Sequence, residues 1–294
     1  MGALYDLAFP RLRRFARERG KARFDASAIT LTWLGTAAHV ISTKTTTVLL
    51  DPYVSRHDLR TLATRALAPN EDAIDKWIPK KVDAILCGHS HFDHLLDAPR
   101  IAIKTGAKLV GSRTTCAFAR ASGVPESQLV AIAQSGGETT IGDVHVRFVR
   151  SKHGRIALGR VPFPGEVLSP PKLPARAWDY KMGGAFGIVM NAAGVRVYHN
   201  GSADLVDAEI AGERADVLVV GLAGRQGTRD YLKRLIDLLS PDLIVPTHHD
   251  AFFAPLERGL RLLPGIDIDG FVSEVHAHAP RARIGFSDYG ENIV

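Results

Sequence analysis

One stretch limits the fold more than any other. Val82 to Cys87 is a short apolar run that reads as a strand, and it leads at once into His89-Ser90-His91-Phe92-Asp93-His94. A helix is expected over Leu95 to Thr105, so the four ligand-type side chains fall on the connection between strand and helix. Imidazole nitrogens suit zinc and similar borderline ions, and a carboxylate oxygen completes such sets. Four potential ligands within six residues exceed what one ion takes from one loop. Division between two ions is the economical account.

The flanking sequence frames this loop. Ile29–Trp33, His39–Ser42 and Thr46–Leu50 are short, β-branched runs separated by Gly35 or polar turns, and they predict an antiparallel meander. The rhythm then changes. Strands are expected at Lys108–Gly111, Val144–Val149, Phe186–Met190, Val195–Tyr198, Asp216–Gly221 and Leu243–Pro246, with helices over Thr114–Ser122 and Arg229–Leu239. A meander combined with strand–helix units predicts a layered α/β domain with more than one sheet over residues 27–294. Residues 154–182 interrupt it with five prolines and three glycines. A long irregular stretch inside a compact domain is usually functional, and Phe163, Leu168, Leu173 and Trp178 predict an ordered loop covering a site.

The remaining ligand candidates lie where such a site needs them. His153 follows the strand Val144–Val149, Asp204 follows Val195–Tyr198, and His248 follows the strand before Pro246. Carboxyl ends of strands in α/β sheets share one edge, where ligands bind. Separate segments therefore deliver His or Asp to one rim.

The chain resembles the metallo-β-lactamase superfamily, through its HxHxDH motif at His89 to His94 and the downstream His153, Asp204 and His248 in order. Trp33-Leu34-Gly35-Thr36-Ala37-Ala38 and Val48-Leu49-Leu50-Asp51-Pro52 add to the resemblance, which covers roughly residues 29–250 and is strongest to lactonase-like and phosphodiesterase-like members. It implies a four-layer αββα sandwich of two mixed β-sheets with a two-metal site in a cleft along one edge. It implies two divalent ions, Zn2+ first, with Mn2+ or iron as alternatives. His89, His91 and His153 would hold one; Asp93, His94 and His248 the other; Asp204 would bridge them. Asp51 would orient a ligand histidine, as metal sites generally require. The chain departs from the family pattern in two places. Where the family has its bridging Asp directly after a Gly, Ser202 follows Gly201 and Asp204 comes two residues later. If a wider turn does not carry Asp204 into place, the second site is weakened. The pair His248-His249 leaves His249 as a substrate contact or a structural neighbour.

The expected activity is hydrolysis by a metal-bound hydroxide, with Asp93 or Asp204 accepting a proton during turnover. No GxSxG elbow is present, and this chemistry needs none. The loop cations Arg155, Arg160, Lys172, Arg176 and Lys181 point to a small anionic ester, lactone or phosphodiester. Other readings are a β-lactamase, a nuclease, a catalytically weak metal sensor of the same fold, or a di-iron redox protein. The last lacks room for a flavin domain after residue 250. No nucleic-acid-binding insertion accompanies the net charge of +6.

Much of that charge lies in Arg11 to Arg23, within an N-terminal basic helical segment spanning 1–26. Packing on the domain edge is its expected role, with peripheral membrane or polyanion contact as the alternative. No apolar stretch is long enough to span a bilayer, and no signal-peptide core precedes Arg11, so a cytoplasmic protein is the expectation. Cys87 and Cys116 form no CxxC pair or disulfide framework and suit a reducing compartment. His39 reads as a packed strand histidine, His145 as solvent-facing and His199 as a residue beside the cleft. Arg56 and His57 read as a pocket border or a surface loop, and Gly183-Gly184 as a tight strand entry. His276 and His278 lie far along the chain from the metal motifs.

Overall fold

A computed structural model describes residues 8–10, 24–156 and 159–294. Strands β1 (Thr30–Trp33), β2 (His39–Ser42) and β3 (Thr47–Leu50) form the expected antiparallel meander. The two-residue β4 (Ala66–Leu67) stands apart. Strands β5 (Ala84–Leu86), β6 (Lys108–Ser112) and β7 (Leu129–Ile132) continue the first sheet in parallel, giving the order β1-β2-β3-β5-β6-β7.

The second sheet begins with β8 (Gly137–Ile141) and β9 (Val144–Arg150). After β10 (Ala175–Arg176), which pairs with β4, come β11 (Phe186–Ala192) and β12 (Val195–Asn200), antiparallel to one another. Parallel β13 (Val217–Gly221), β14 (Leu243–Thr247) and β15 (Arg283–Ile284) complete it.

Side-chain alternation decides how the layers stack. Val48 and Leu50 of β3, Ala84 and Leu86 of β5 and Val110 of β6 face the second sheet. There they meet Val146, Phe148, Ile188, Met190, Val197, Val217 and Val245. Leu49, Ile85 and Leu109 point the other way. They pack beneath α2 (Glu71–Trp77), α4 (Ala98–Thr105) and α5 (Arg113–Ala121) through Ile74, Ile101 and Phe118. Tyr198, Leu218, Val220 and Ile244 leave the second sheet outward, under Leu235 of α7 (Tyr231–Leu239) and Phe271 of α8 (Ile268–His278). Strands buried on both faces require a layer on each side, and the result is the four-layer αββα sandwich.

Helix ends follow their caps. Ser112 accepts the Thr115 N–H at the start of α5, and Asp267 accepts the Gly270 N–H at the start of α8. Gly106, in the left-handed region at φ 75°, stops α4. The ligand run differs from expectation here. A four-residue helix, α3 (Phe92–Leu95), already holds Asp93 and His94, and α4 starts afresh at Ala98. Between them the buried Asp97 carboxylate accepts the N–H groups of Val54 (2.7 Å) and Ser55 (2.9 Å), tying this corner to the segment after β3. Two short helices, α1 (Leu59–Thr64) and α2, and strands β7 and β8 were not anticipated. α8 also was not anticipated, and it carries His276 and His278.

Within residues 154–182, β10 pairs with β4 and the Met182 N–H donates to the Phe163 carbonyl at 3.0 Å. Phe163 and Leu173 pack against the core, whereas Leu168 and Trp178 are exposed. Gly183 and Gly184 form the tight entry to β11, with φ 70° and 105°. The basic N-terminal segment falls mostly outside the described residues. Within it, Pro10 accepts the Leu262 N–H at 2.8 Å, and Phe9 is buried against Phe253. At the far end of the chain, Ile293 donates its N–H to Leu31 at 2.7 Å, Gly290 donates its N–H to Trp33, and Asn292 accepts the Leu31 N–H. These contacts cover β1, which would otherwise be an open sheet edge. Among the described residues no helix is long and apolar enough to cross a membrane.

Candidate metal centre

The carboxyl ends of β5, β9, β12 and β14 converge at one rim. Leaving β5, the chain turns sharply at Gly88, whose N–H is held by Asp51 Oδ1 at 2.7 Å. That turn presents His89 and His91, and α3 presents Asp93 and His94. His153 follows β9 and is held in a bridge opposite Ala203, beyond β12. His248 follows β14 with φ 52°, a conformation uncommon for a side chain bearing a Cβ. Its N–H donates to Thr36 at 2.8 Å, and its carbonyl accepts the Ala223 N–H at 3.1 Å.

The structure gathers six of the seven predicted ligands into two groups. His89, His91 and His153 form one; Asp93, His94 and His248 form the other. Within each, the ligand atoms lie within 4.8 Å of one another. The groups adjoin, the His89 and His94 rings standing 3.8 Å apart between centroids.

Several donors fit a metal and have no other partner. The Nε2 atoms of His89 and His91 are buried without a hydrogen bond. His153 Nδ1 lies 2.8 Å from the Gly154 carbonyl, which leaves Nε2 for a ligand. His94 Nδ1 lies 3.1 Å from Asp51 Oδ2, leaving its Nε2 toward Asp93 Oδ2 at 3.7 Å, and His248 Nε2 approaches the same oxygen at 3.1 Å. Unpartnered buried imidazoles are costly unless something binds them, so this donor set fits divalent ions.

The electrostatics agree. Burial, with His94 and His91 close by, pushes His89 well below the ordinary imidazole value. Burial lowers His91 to about 3 and His153 to about 4. These rings therefore stay neutral, the form that offers a lone pair to a metal. Burial opposes ionisation of Asp93, but His94 and the hydrogen bond from His248 prevail and hold it below the usual carboxylate range. His94 is raised against its burial by Asp51 and Asp93.

Asp204 is the exception. It belongs to neither group. Its carboxylate accepts the Leu205 N–H at 2.7 Å, and its charge acts on Tyr231 and Arg234 of α7, on the outer side of the second sheet. Its carbonyl closes the turn, accepting from Asn200 Nδ2 and Ser151 Oγ, both at 2.8 Å. The turn is tight rather than wide, and Ser202 faces the cavity in its place. Neither Asp204 as bridge nor Asp204 as proton acceptor finds support in this placement.

Around the ligands lies a cavity of about 540 Å³. Ile156 and Phe163 form one wall, Phe252, Phe253, Leu263 and Ile266 another. Of the five loop cations singled out in the sequence, Arg155 alone lines it; Arg176 instead covers the Trp178 ring.

The other histidines fall into place. His39 is fully buried, His145 is exposed beside Glu138, and His199 is buried 3.8 Å from Asp51 rather than lining the cavity. His249 is a structural neighbour, buried and stacked on Trp33 at 4.6 Å. Arg56 fits neither sequence reading, because it is buried against Asp250. Asp250 also accepts from Thr36 N and Tyr289 Oη, both at 2.8 Å, and so anchors the turn carrying His248. Arg56, Asp97, Asp250 and Tyr289 carried no sequence signal for these roles, whereas Ser202 stood out as the residue directly after Gly201. Phe252 and Phe253 carried one, as an aromatic pair two residues beyond His248-His249.

Comparison with known proteins decides the family. A family model for the beta-lactamase superfamily domain matches residues 30–248. The chain belongs to the metallo-β-lactamase superfamily. Within it, the chain is 27% identical over 233 residues to a UPF0173 metal-dependent hydrolase of Methanopyrus kandleri, covering 78% of this chain and 86% of that one. It is 31% identical over 232 residues to a UPF0173 metal-dependent hydrolase of Anaeromyxobacter dehalogenans, covering 76% and 75%. Among solved structures, the metallo hydrolase Igni18 of Ignicoccus hospitalis shares the fold, with a TM-score of 0.56, 19% identity and coverage of 90% and 97%. The chain is thus a metal-dependent hydrolase of the metallo-β-lactamase superfamily.

Proposed function

We propose that this hydrolase cleaves a small ester or lactone carrying an apolar acyl or aryl group, at a centre built from the His89/His91/His153 and Asp93/His94/His248 triads. The single observation that carries the reading is the cavity: His91 and His153 of one triad and Asp93 and His248 of the other open into it, and its walls are mostly apolar. A divalent ion bound there supplies Lewis acidity and brings the pKa of water from 15.7 towards neutrality.

The residues contribute the rest. Neutral histidines hold the ligand lone pairs ready, and Asp51 fixes both the Gly88 turn and the His94 ring. Asp93 is the one carboxylate among the described residues that lines the cavity, so it is the proton acceptor at the scissile bond. The aromatic and aliphatic walls bind the apolar group and exclude water from beside it. Arg155, at the exposed end, stands where a carboxylate on the substrate or product would rest. With one cation at the cavity, an apolar ester or lactone fits its lining better than a phosphodiester does.

The test is a hydrolysis panel with metal-loaded protein, comparing aryl and alkyl esters, lactones and phosphodiesters. Apolar esters or lactones are expected to lead, and His91→Ala and Asp93→Ala to lower their turnover at least about a hundredfold. Turnover confined to phosphodiesters, or an activity that survives His91→Ala, would overturn the reading.

A further inference from the structure

We infer that the two triads are unequal: Asp93/His94/His248 is a tight ion site, His89/His91/His153 is a weak and exchangeable one, and Ser202 sets the difference. This rests on the metal-centre reading above and concerns how that centre fills.

The charge around the ligands is one-sided. Asp93 is itself a ligand of the first group, and Asp51 backs His94 of the same group at 3.1 Å. The second group has three neutral imidazoles. The one ring partner found for His153 is a backbone carbonyl, that of Gly154. All three members of the Asp93 group are buried, whereas His153 is half-buried. A dication is therefore drawn more strongly to the Asp93 side, where anionic charge is close and water is excluded.

Two adjacent dications repel one another four times as strongly as two unit charges at the same separation. A carboxylate between them offsets that repulsion, and the residue directly after Gly201, which lines the cavity, carries a hydroxyl instead. Ser202 is buried and lines the cavity beside His91, Asp93, His153 and His248. Its Oγ is already committed, 3.1 Å from the Lys152 carbonyl and 3.3 Å from Asn200 Oδ1. The nearest acid along the chain, Asp204, is turned to Leu205 N and α7. The turn cannot readily swing Asp204 inward, because its carbonyl and the Ser202 carbonyl are both used, the latter by Gly154 N at 2.5 Å.

The measurement is metal stoichiometry and affinity, independent of any substrate. Protein stripped with chelator is titrated with Zn2+ against a chromophoric competitor, and retained metal is counted by mass spectrometry after gel filtration. The native chain is expected to keep one ion and to bind a second at least about tenfold more weakly. Ser202→Asp is expected to keep two. Asp93→Asn is expected to lose the tight ion, and one equivalent of Co2+ should then give a changed visible ligand-field spectrum.

Two ions of equal affinity in the native chain would overturn the inference, as would a folded Ser202→Asp protein that still keeps one. So would an unchanged cobalt spectrum in Asp93→Asn. If Ser202→Asp does not fold, the native titration and the cobalt spectra decide alone. A native chain that binds no divalent ion would overturn the metal-centre reading itself, an outcome distinct from equal affinities.

Discussion

Asp51 shows how much one side chain can organise. With φ 41° it ends β3, holds Gly88 N, and stands 3.1 Å from His94 and 3.8 Å from His199. Asp51→Ala is expected to weaken Zn2+ binding by roughly 10- to 100-fold while the chain stays folded, as read by competitive titration and circular dichroism. Behind it, His39 and His199 both contact the Ala37 carbonyl at 3.1 Å. Burial, followed by the neighbouring His199, lowers His39 from 6.5 to about 3. Between those values the unfolded chain binds a proton that the folded chain refuses. The stability contributed is complete above pH 6.5 and falls as the pH drops towards about 3. His39→Leu, in metal-free protein, should therefore flatten the acid limb of a urea-midpoint profile over that window; an unchanged slope would refute the assignment. Six of the seven candidate ligands come together in the structure; they were legible because they cluster in one short motif after β5 or lie within a few residues of a strand end. Asp204 lies outside both groups, because a sequence gives the spacing of a turn and not the direction of its side chains. That direction is set here by backbone carbonyls closing the Asn200–Asp204 turn.

At the scale of elements, the substrate wall depends on a backbone contact. The segment at Arg155 and Ile156 lies directly on the turn Gly224–Gly227. A Cβ on Gly227 would come within 2.5 Å of the Arg155 carbonyl. Gly227→Ala should push this wall outward, raising KM for apolar esters several-fold with little change in melting temperature, since the contact is at the surface. Phe163→Ala should raise KM in the same way and leave metal content intact. Density of proline and glycine made the loop legible, but irregular backbone has no period, so nothing in the sequence told Arg155 from the four cations that do not line the cavity. The short helices were missed for another reason. α1 and α2 are six and seven residues long and rely on the Asp58 and Asn70 caps and on packing of Leu62 and Ile74, more than on a sustained apolar stripe.

For the whole molecule, the sandwich was readable from the switch between meander and strand–helix rhythm. The polar anchors between layers were not, because they join residues far apart in sequence. Arg56, Asp250, Thr36 and Tyr289 meet from four segments. Arg56→Leu leaves a buried carboxylate short of its cation and should cost about 3–5 kcal/mol in urea unfolding. Tyr289→Phe, which keeps the Arg56–Asp250 pair, should cost far less. The ligands themselves join the layers too. Each triad takes two side chains from the turn and short helix α3 after β5 in the first sheet and one from beyond a strand of the second, His153 or His248. An ion at either position is therefore a removable rivet between the two sheets. Free metal at a hundred times its dissociation constant adds about 2.7 kcal/mol to the folded state. The rate at which a protease digests this chain should then follow the supply of the bound metal, so that scarcity removes the protein itself as well as its activity.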